Sequence, residues 1–207
     1  GDARARRSFL HGRFGFRRSA SKNSVKTEAL NKVLCRTNKL ECAPTGITGT
    51  MGNAQSQGEK KVELAQKTGN LSLQSTGIEK VPVKDLATIP NLRVLDLSHN
   101  KLRSLPPKGL GKLTHLTTLT LDFNAVRTVP AAMFALPKLE KLSATHCALE
   151  SLPSTLGSLQ KLQKLTLAHN VLAALPESLG GCTSLSVLDL SHNRLRSLPS
   201  SLGQCAQ

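Results

Sequence analysis

L-R-V-L-D-L-S-H-N-K-L-R-S-L-P, residues 92–106, carries the phrase that decides the fold. Leu95, Leu97, Asn100, Leu102, Leu105 and Pro106 spell L-x-L-x-x-N-x-L-x-x-L-P. Leu165, Leu167, Asn170, Leu172, Leu175 and Pro176 spell it again, and Leu188 to Pro199 repeats it. Degenerate copies begin at Leu71, Leu119 and Leu142, so the six starts are spaced 24, 24, 23, 23 and 23 residues. A fixed period of that size is the signature of a stacked array of coils.

Each part of the phrase has a physical reading. The L-x-L segment alternates with period two, which predicts a short strand with Leu inward and polar residues outward. Phrase position six is Asn100, Asn124, Asn170 and Asn193 in four copies, with Thr76 and Cys147 in the others. An amide side chain there can satisfy buried backbone groups of neighbouring turns, so these residues are expected to form a structural ladder. The second half of each copy adds convex apolar columns. Leu110, Met133, Leu156, Leu179 and Leu202 form one, and Leu113, Leu136, Leu159, Cys182 and Cys205 the next. Cys182 and Cys205 stand where Leu stands elsewhere, so they read as small buried apolar residues. One copy cannot bury its own face, and stacking creates a continuous core. The expected fold is therefore an α/β solenoid, an arc of short parallel strands with a helical or irregular convex side and about six repeats.

Composition agrees. Of 207 residues, 39% are hydrophobic but only 2% aromatic, with no Trp and no Tyr, so the core is aliphatic. The formal charge of +15 is uneven. Residues 1–50 hold 11 Lys/Arg against 3 Asp/Glu, a surplus of 8, and the other 157 residues contribute the remaining 7. The five cysteines (35, 42, 147, 182 and 205) are odd in number and lack metal-ligand spacing, which fits free thiols in a reducing cytosol. Asn70-Leu71-Ser72 is a glycosylation sequon, idle unless the chain is secreted.

Three segments are expected. Residues 1–50 form a basic leader without apolar periodicity. They read as untranslated sequence carried in frame, or as a mitochondrial presequence built on Arg4, Arg6, Arg7, Arg13, Arg17 and Arg18, or as a disordered arm. Residues 51–69 hold Met51-Gly52-Asn53-Ala54-Gln55-Ser56, which matches the N-myristoylation pattern with Gly52 as acceptor. They also hold the amphipathic stretch from Gly58 to Gly69, expected to be a short helix covering the first coil. Residues 71–207 are the repeat domain. Gln207 falls inside the sixth copy, so the array is expected to continue beyond it. If Met51 is the biological start, a single myristoyl chain gives marginal, reversible membrane association.

The endings PSTLGSL (153–159) and PESLGGC (176–182), with the phrase itself, make the chain resemble the intracellular leucine-rich-repeat proteins of the Ras-suppressor-like class. The MGN start and AQKTG (65–69) before the first strand narrow that resemblance to one branch. The resemblance covers about residues 51–207. It implies a non-enzymatic, myristoylated and membrane-associated protein, with the lipid on Gly52. The basic leader and the missing C-terminal copies depart from the pattern.

The outward strand positions read Val94, Asp96, Ser98; Thr118, Thr120, Asp122; Lys141, Ser143, Thr145; Lys164, Thr166, Ala168; and Val187, Asp189, Ser191. Such a small, polar face of mixed charge suits a protein partner better than a small molecule. Its candidate contacts are Asp96, Asp122, Lys141, Lys164 and Asp189, joined by a column at phrase position five: His99, Phe123, His146, His169 and His192. The imidazoles are expected to serve the loop backbone, with a pH-sensitive strip or a shared metal as alternatives. Phe123 interrupts them and reads as an exposed interface anchor. Asp96 and Asp189 lie four copies apart, about 20 Å, too far for joint acid–base work, and no nucleotide-binding glycine loop occurs. Lys101, Arg103, Arg127, Arg194 and Arg196 lie after the strands, but Glu150 interrupts them and aromatics for base stacking are missing. The expectation is a monomeric scaffold that binds a protein partner and the membrane surface, without enzymatic activity, cofactor, metal or nucleic acid.

Overall fold

The computed structural model describes residues 61, 63–87, 89, 91–106 and 109–205. The leader, Gly52 and residues 51–60 lie outside them.

Six three-residue strands form one parallel sheet in chain order: β1 (Asn70–Ser72), β2 (Val94–Asp96), β3 (Thr118–Thr120), β4 (Lys141–Ser143), β5 (Lys164–Thr166) and β6 (Val187–Asp189). Leu71, Leu95, Leu119, Leu142, Leu165 and Leu188 sit in register across it. That alignment follows from the period, since each coil places the same phrase position beside its predecessor. The sheet stays open, and the fold is an arc of stacked coils. Parallel neighbours need a long return connection, and here it runs over the opposite, convex side of each coil.

Proline shapes that return. Pro130, Pro153, Pro176 and Pro199 each precede a 3-10 turn in extended conformation, at Ala131–Ala135, Ser154–Ser158, Glu177–Gly181 and Ser200–Gln204. The ring fixes φ and removes a donor that the first turn cannot use. Its carbonyl accepts the first turn bond, as from Leu156 N to Pro153 O at 3.1 Å. A shorter 3-10 turn, Leu110–Lys112, serves the second coil. The first coil differs, with one α-helical turn at Val83–Leu86.

The core fills the space between sheet and turns. Leu73, Leu97, Leu121, Ala144 and Leu167 line it beside the strands, and Leu110, Met133, Leu156 and Leu179 line it beneath the turns. Cys182 and Cys205 are buried in the Leu113–Leu136–Leu159 column. At the first coil, residues 63–68 are helical and Ala65 is fully buried against the core. At the sixth, Leu188, Leu190 and Leu195 are only partly buried, and Leu198 is 58% exposed.

Candidate interaction surfaces

Sheet register writes the concave face in columns. Val94, Thr118, Lys141, Lys164 and Val187 make one row across the strands, and Asp96, Thr120, Ser143, Thr166 and Asp189 the next. Lys141 and Lys164 are therefore direct neighbours, both exposed and, among the described residues, without an ion pair. Their backbones lie one strand spacing, about 5 Å, apart, and like charges on neighbouring strands repel. Beside them lies a shallow depression of about 250 Å³, lined by Thr118, Thr120, Asp122, Ser143 and Thr166 as well as the two lysines.

The carboxylates are each engaged separately. Asp122 accepts hydrogen bonds from Ser143 Oγ at 2.6 Å and Thr145 N at 2.8 Å, and Thr166 Oγ1 donates to Ser143 Oγ at 2.8 Å. Asp96 accepts from Ser98 N at 2.9 Å and Ser98 Oγ at 2.7 Å. Asp189 accepts from both Ser191 groups, which hold its carboxyl below the usual range, aided by His169 and His192 and opposed by partial burial. Asp96 and Asp122 thus have separate hydrogen-bond partners among the described residues. Two outward positions behave otherwise than their alternation predicts: Ser98 and Ala168 are buried. The chain is leaving the strand there, so period two no longer sets which side faces water.

Phrase position five is where that departure happens. Hydrogen bonds from Leu97 N to Thr120 O and from His99 N to Asp122 O, both 2.8 Å, carry the pairing past the short strands. His99, Phe123, His146, His169 and His192 then adopt left-handed backbone, with φ of 53 to 56°. Identical backbone at identical places aims five rings in one direction. Consecutive centroids lie 4.4, 4.6, 4.1 and 4.0 Å apart, with interplanar angles of 9 to 12°. Phe123 was expected to interrupt the column, but it stacks within it, because ring shape rather than ring nitrogens sets the contact. Parallel imidazoles point their nitrogens side by side instead of converging on one point. Among the described residues no group of His, Cys, Asp or Glu is arranged to hold a metal ion.

His169 is stacked between two other imidazoles. Neighbouring groups take water from its imidazole, and the His192 and His146 charges add to this, lowering its pKa from the ordinary value, against the pull of Asp189. This left-handed column is the feature that residue-by-residue reading missed. Its sequence signal was present: four His at one phrase position, a residue type enriched in that backbone region.

Behind the column, the position-six amides bridge coils. Asn124 Nδ2 donates to Leu97 O and Leu121 O at 3.0 and 2.7 Å, while its Oδ1 accepts from Leu102 N at 3.1 Å. Asn100, Asn170 and Asn193 repeat the pattern, with Ile78, Leu149 and Leu172 as the backbone donors. Cys147 does half of this. Its thiol donates to Leu121 O at 3.2 Å, but it brings no amide oxygen to Val126 N, the equivalent donor. Burial pushes the Cys147 and Cys182 thiols up to about 11, and that of Cys205 upward too. Neutral buried thiols are poor nucleophiles.

A family model described as Leucine rich repeat matches residues 68–126, 90–149 and 137–195. No curated protein matches the chain. A Leptospira interrogans leucine-rich-repeat protein of solved structure is 32% identical over 70% of this chain, with a TM-score of 0.63. The repeat ectodomain of the Arabidopsis thaliana receptor kinase GASSHO1/SCHENGEN3, solved in complex with Casparian strip integrity factor 2, is 34% identical over 68%, at 0.57. A plant peptide hormone receptor, solved with its hormone, is 29% identical over 66%, at 0.58. The chain spans 38%, 18% and 23% of those three proteins, respectively.

Proposed function

The chain belongs to the leucine-rich repeat family, and on that premise we propose that it is a non-enzymatic scaffold whose concave face docks a protein partner. Proteins of this family are generally interaction modules, and two of the similar solved structures hold a peptide hormone or another named factor. The observation that carries the reading is the register of Lys141 beside Lys164 over the Asp122–Ser143–Thr166 hydrogen-bond chain. Two adjacent cations repel until an acidic group settles between them, and the surrounding hydroxyls offer polar contacts of defined direction. The partner surface contains at least one carboxylate, flanked by small polar residues. Asp96, Asp189 and the exposed ring of Phe123 extend the footprint, and the chain acts as a monomer.

The same reading includes a membrane anchor. With Met51 as the start, Gly52 carries a myristoyl group, and the protein is cytoplasmic and peripherally membrane-bound. The MGN and AQKTG segments resemble those of leucine-rich repeat-containing protein 57, and that resemblance supports the lipid reading. The second membrane signal is weak: Glu63 Oε1 accepts from Lys67 Nζ at 2.7 Å, an ion pair that lowers the Glu63 pKa and sets a carboxylate beside the lysine. Association is therefore reversible. If the leader is translated, the alternative is a soluble or mitochondrially targeted adaptor without lipid.

Proximity labelling in cells separates the two parts. Lys141→Glu with Lys164→Glu is expected to remove a subset of neighbours while leaving the membrane fraction unchanged. Gly52→Ala is expected to shift the protein off membranes. An unchanged neighbour set in the lysine pair sinks the concave site; an unchanged membrane fraction in Gly52→Ala, or a native peptide from residues 1–50, removes the anchor.

A further inference from the structure

A second surface lies on the loop edge of the arc, beside the ring column. Because the rings stack face to face, their faces are occupied by one another and their edges are turned outward. The edge is the electropositive part of an aromatic ring, and an imidazole edge also carries an N–H donor. Phe123 is 46% exposed in this row. Adjoining Phe123 and His146 is an open groove of about 770 Å³ that Lys80, Lys101, Arg103 and Glu79 also line. Three cations face one carboxylate there, and among the described residues Lys101 and Arg103 form no ion pair.

We propose that this edge is a second docking surface, adjoining the concave face at Phe123, for an extended acidic peptide segment of a partner protein. Its carboxylates meet Lys80, Lys101 and Arg103 on one side and the ring edges of Phe123 and His146 on the other. The groove crosses copies one to four, three strand spacings or about 15 Å, which matches four or five extended residues. That length selects a peptide over a single small anion. A nucleic acid is disfavoured because bases need open ring faces, and the basic column that runs through Arg103 and Arg127 is interrupted by Glu150 and Ala173 before Arg196. Arg127 is itself loosely held by Glu150 at 3.9 Å.

The test is fluorescence anisotropy of a labelled oligo-glutamate peptide on the full chain, beside an oligo-glutamine peptide and single-stranded oligo-uridine. Glutamate is expected to bind and glutamine not to. Lys101→Glu with Arg103→Glu is expected to weaken glutamate binding about tenfold, and Phe123→Asn, which keeps a residue at ease in left-handed backbone, about threefold. Lys101→Gln with Arg103→Gln gives the same direction of change if charge reversal disturbs folding, which circular dichroism reports. Every variant retains the basic leader, so its contribution is constant. The proposal is overturned if the edge variants bind glutamate as the wild type does, if glutamine binds equally, or if oligo-uridine binds more tightly and is lost in the same variants.

Discussion

Cys147 stands in a column of asparagines whose Nδ2 donates to carbonyls of their own and the preceding coil and whose Oδ1 accepts from a backbone amide of the preceding coil. Lacking the amide oxygen, it leaves Val126 N without the acceptor its counterparts enjoy. Cys147→Asn is therefore expected to raise unfolding free energy by about 1 kcal/mol, measured by urea denaturation; a decrease would show that the amide does not fit between Leu121 and Thr145. His169 makes a pH prediction. Its folded pKa lies below the ordinary 6.5, so the unfolded chain takes up that proton more readily than the folded one. The stabilisation is fully present above the unfolded pKa and is lost as pH falls through about 6.5 toward the lowered folded value. Glu63, Glu177 and Asp189, also lowered, act only in more acidic solution. Thermal midpoints at about pH 7.5 and 5.5 should therefore fall more for the wild type than for His169→Gln. Parallel falls in the two proteins exclude the ring column as the cause.

The convex turns set the element-scale spacing. Pro130, Pro153, Pro176 and Pro199 give four of them their entry angle, and the glycine of the L-G pair at Gly111, Gly157 and Gly180 lets neighbouring turns approach. A Cβ built on Gly157 would overlap the carbonyl oxygen of Ser178 in the next turn. Ser158 Oγ meanwhile donates back to Phe134 O at 2.9 Å, so this turn is also hydrogen-bonded to the one before it. Backbone is the obstacle, and backbone cannot rotate aside as a side chain does. Gly157→Ala should destabilise the protein by about 1–3 kcal/mol through this overpacking, even though alanine ordinarily suits helical turns better. An equal or higher urea midpoint would mean that the turns can part without cost. The glycine was legible as part of the L-P-x-x-L-G ending; its reason, a contact 21 residues away, was not.

Across the whole molecule, each coil is buried only by its neighbours, so stability is shared along the array. Leu167 sits mid-array at 1% exposure, whereas its counterpart Leu190 in the sixth coil is only partly buried. Leu167→Ala should cost about 2–5 kcal/mol, and Leu190→Ala markedly less. Equal losses at the two sites would contradict nearest-neighbour stacking as the source of the core. Hydrogen exchange should show the same gradient, with the central strands protected longest.

The fold was legible because period, alternation and the Leu columns all express one local rule repeated six times, and a repeated rule leaves a single way to bury its apolar side. The phrase by itself therefore determined the parallel register, the aliphatic core and the burial of Cys182 and Cys205. What tertiary structure alone decided is everything that depends on residues 21 to 24 apart meeting: Lys141 beside Lys164, Asp122 bound to Ser143, and Phe123 sandwiched between two imidazoles. Each is a matter of sub-ångström to few-ångström placement across coils, set by left-handed backbone and by the stacking distance. Neither quantity is carried by the identity of any one residue.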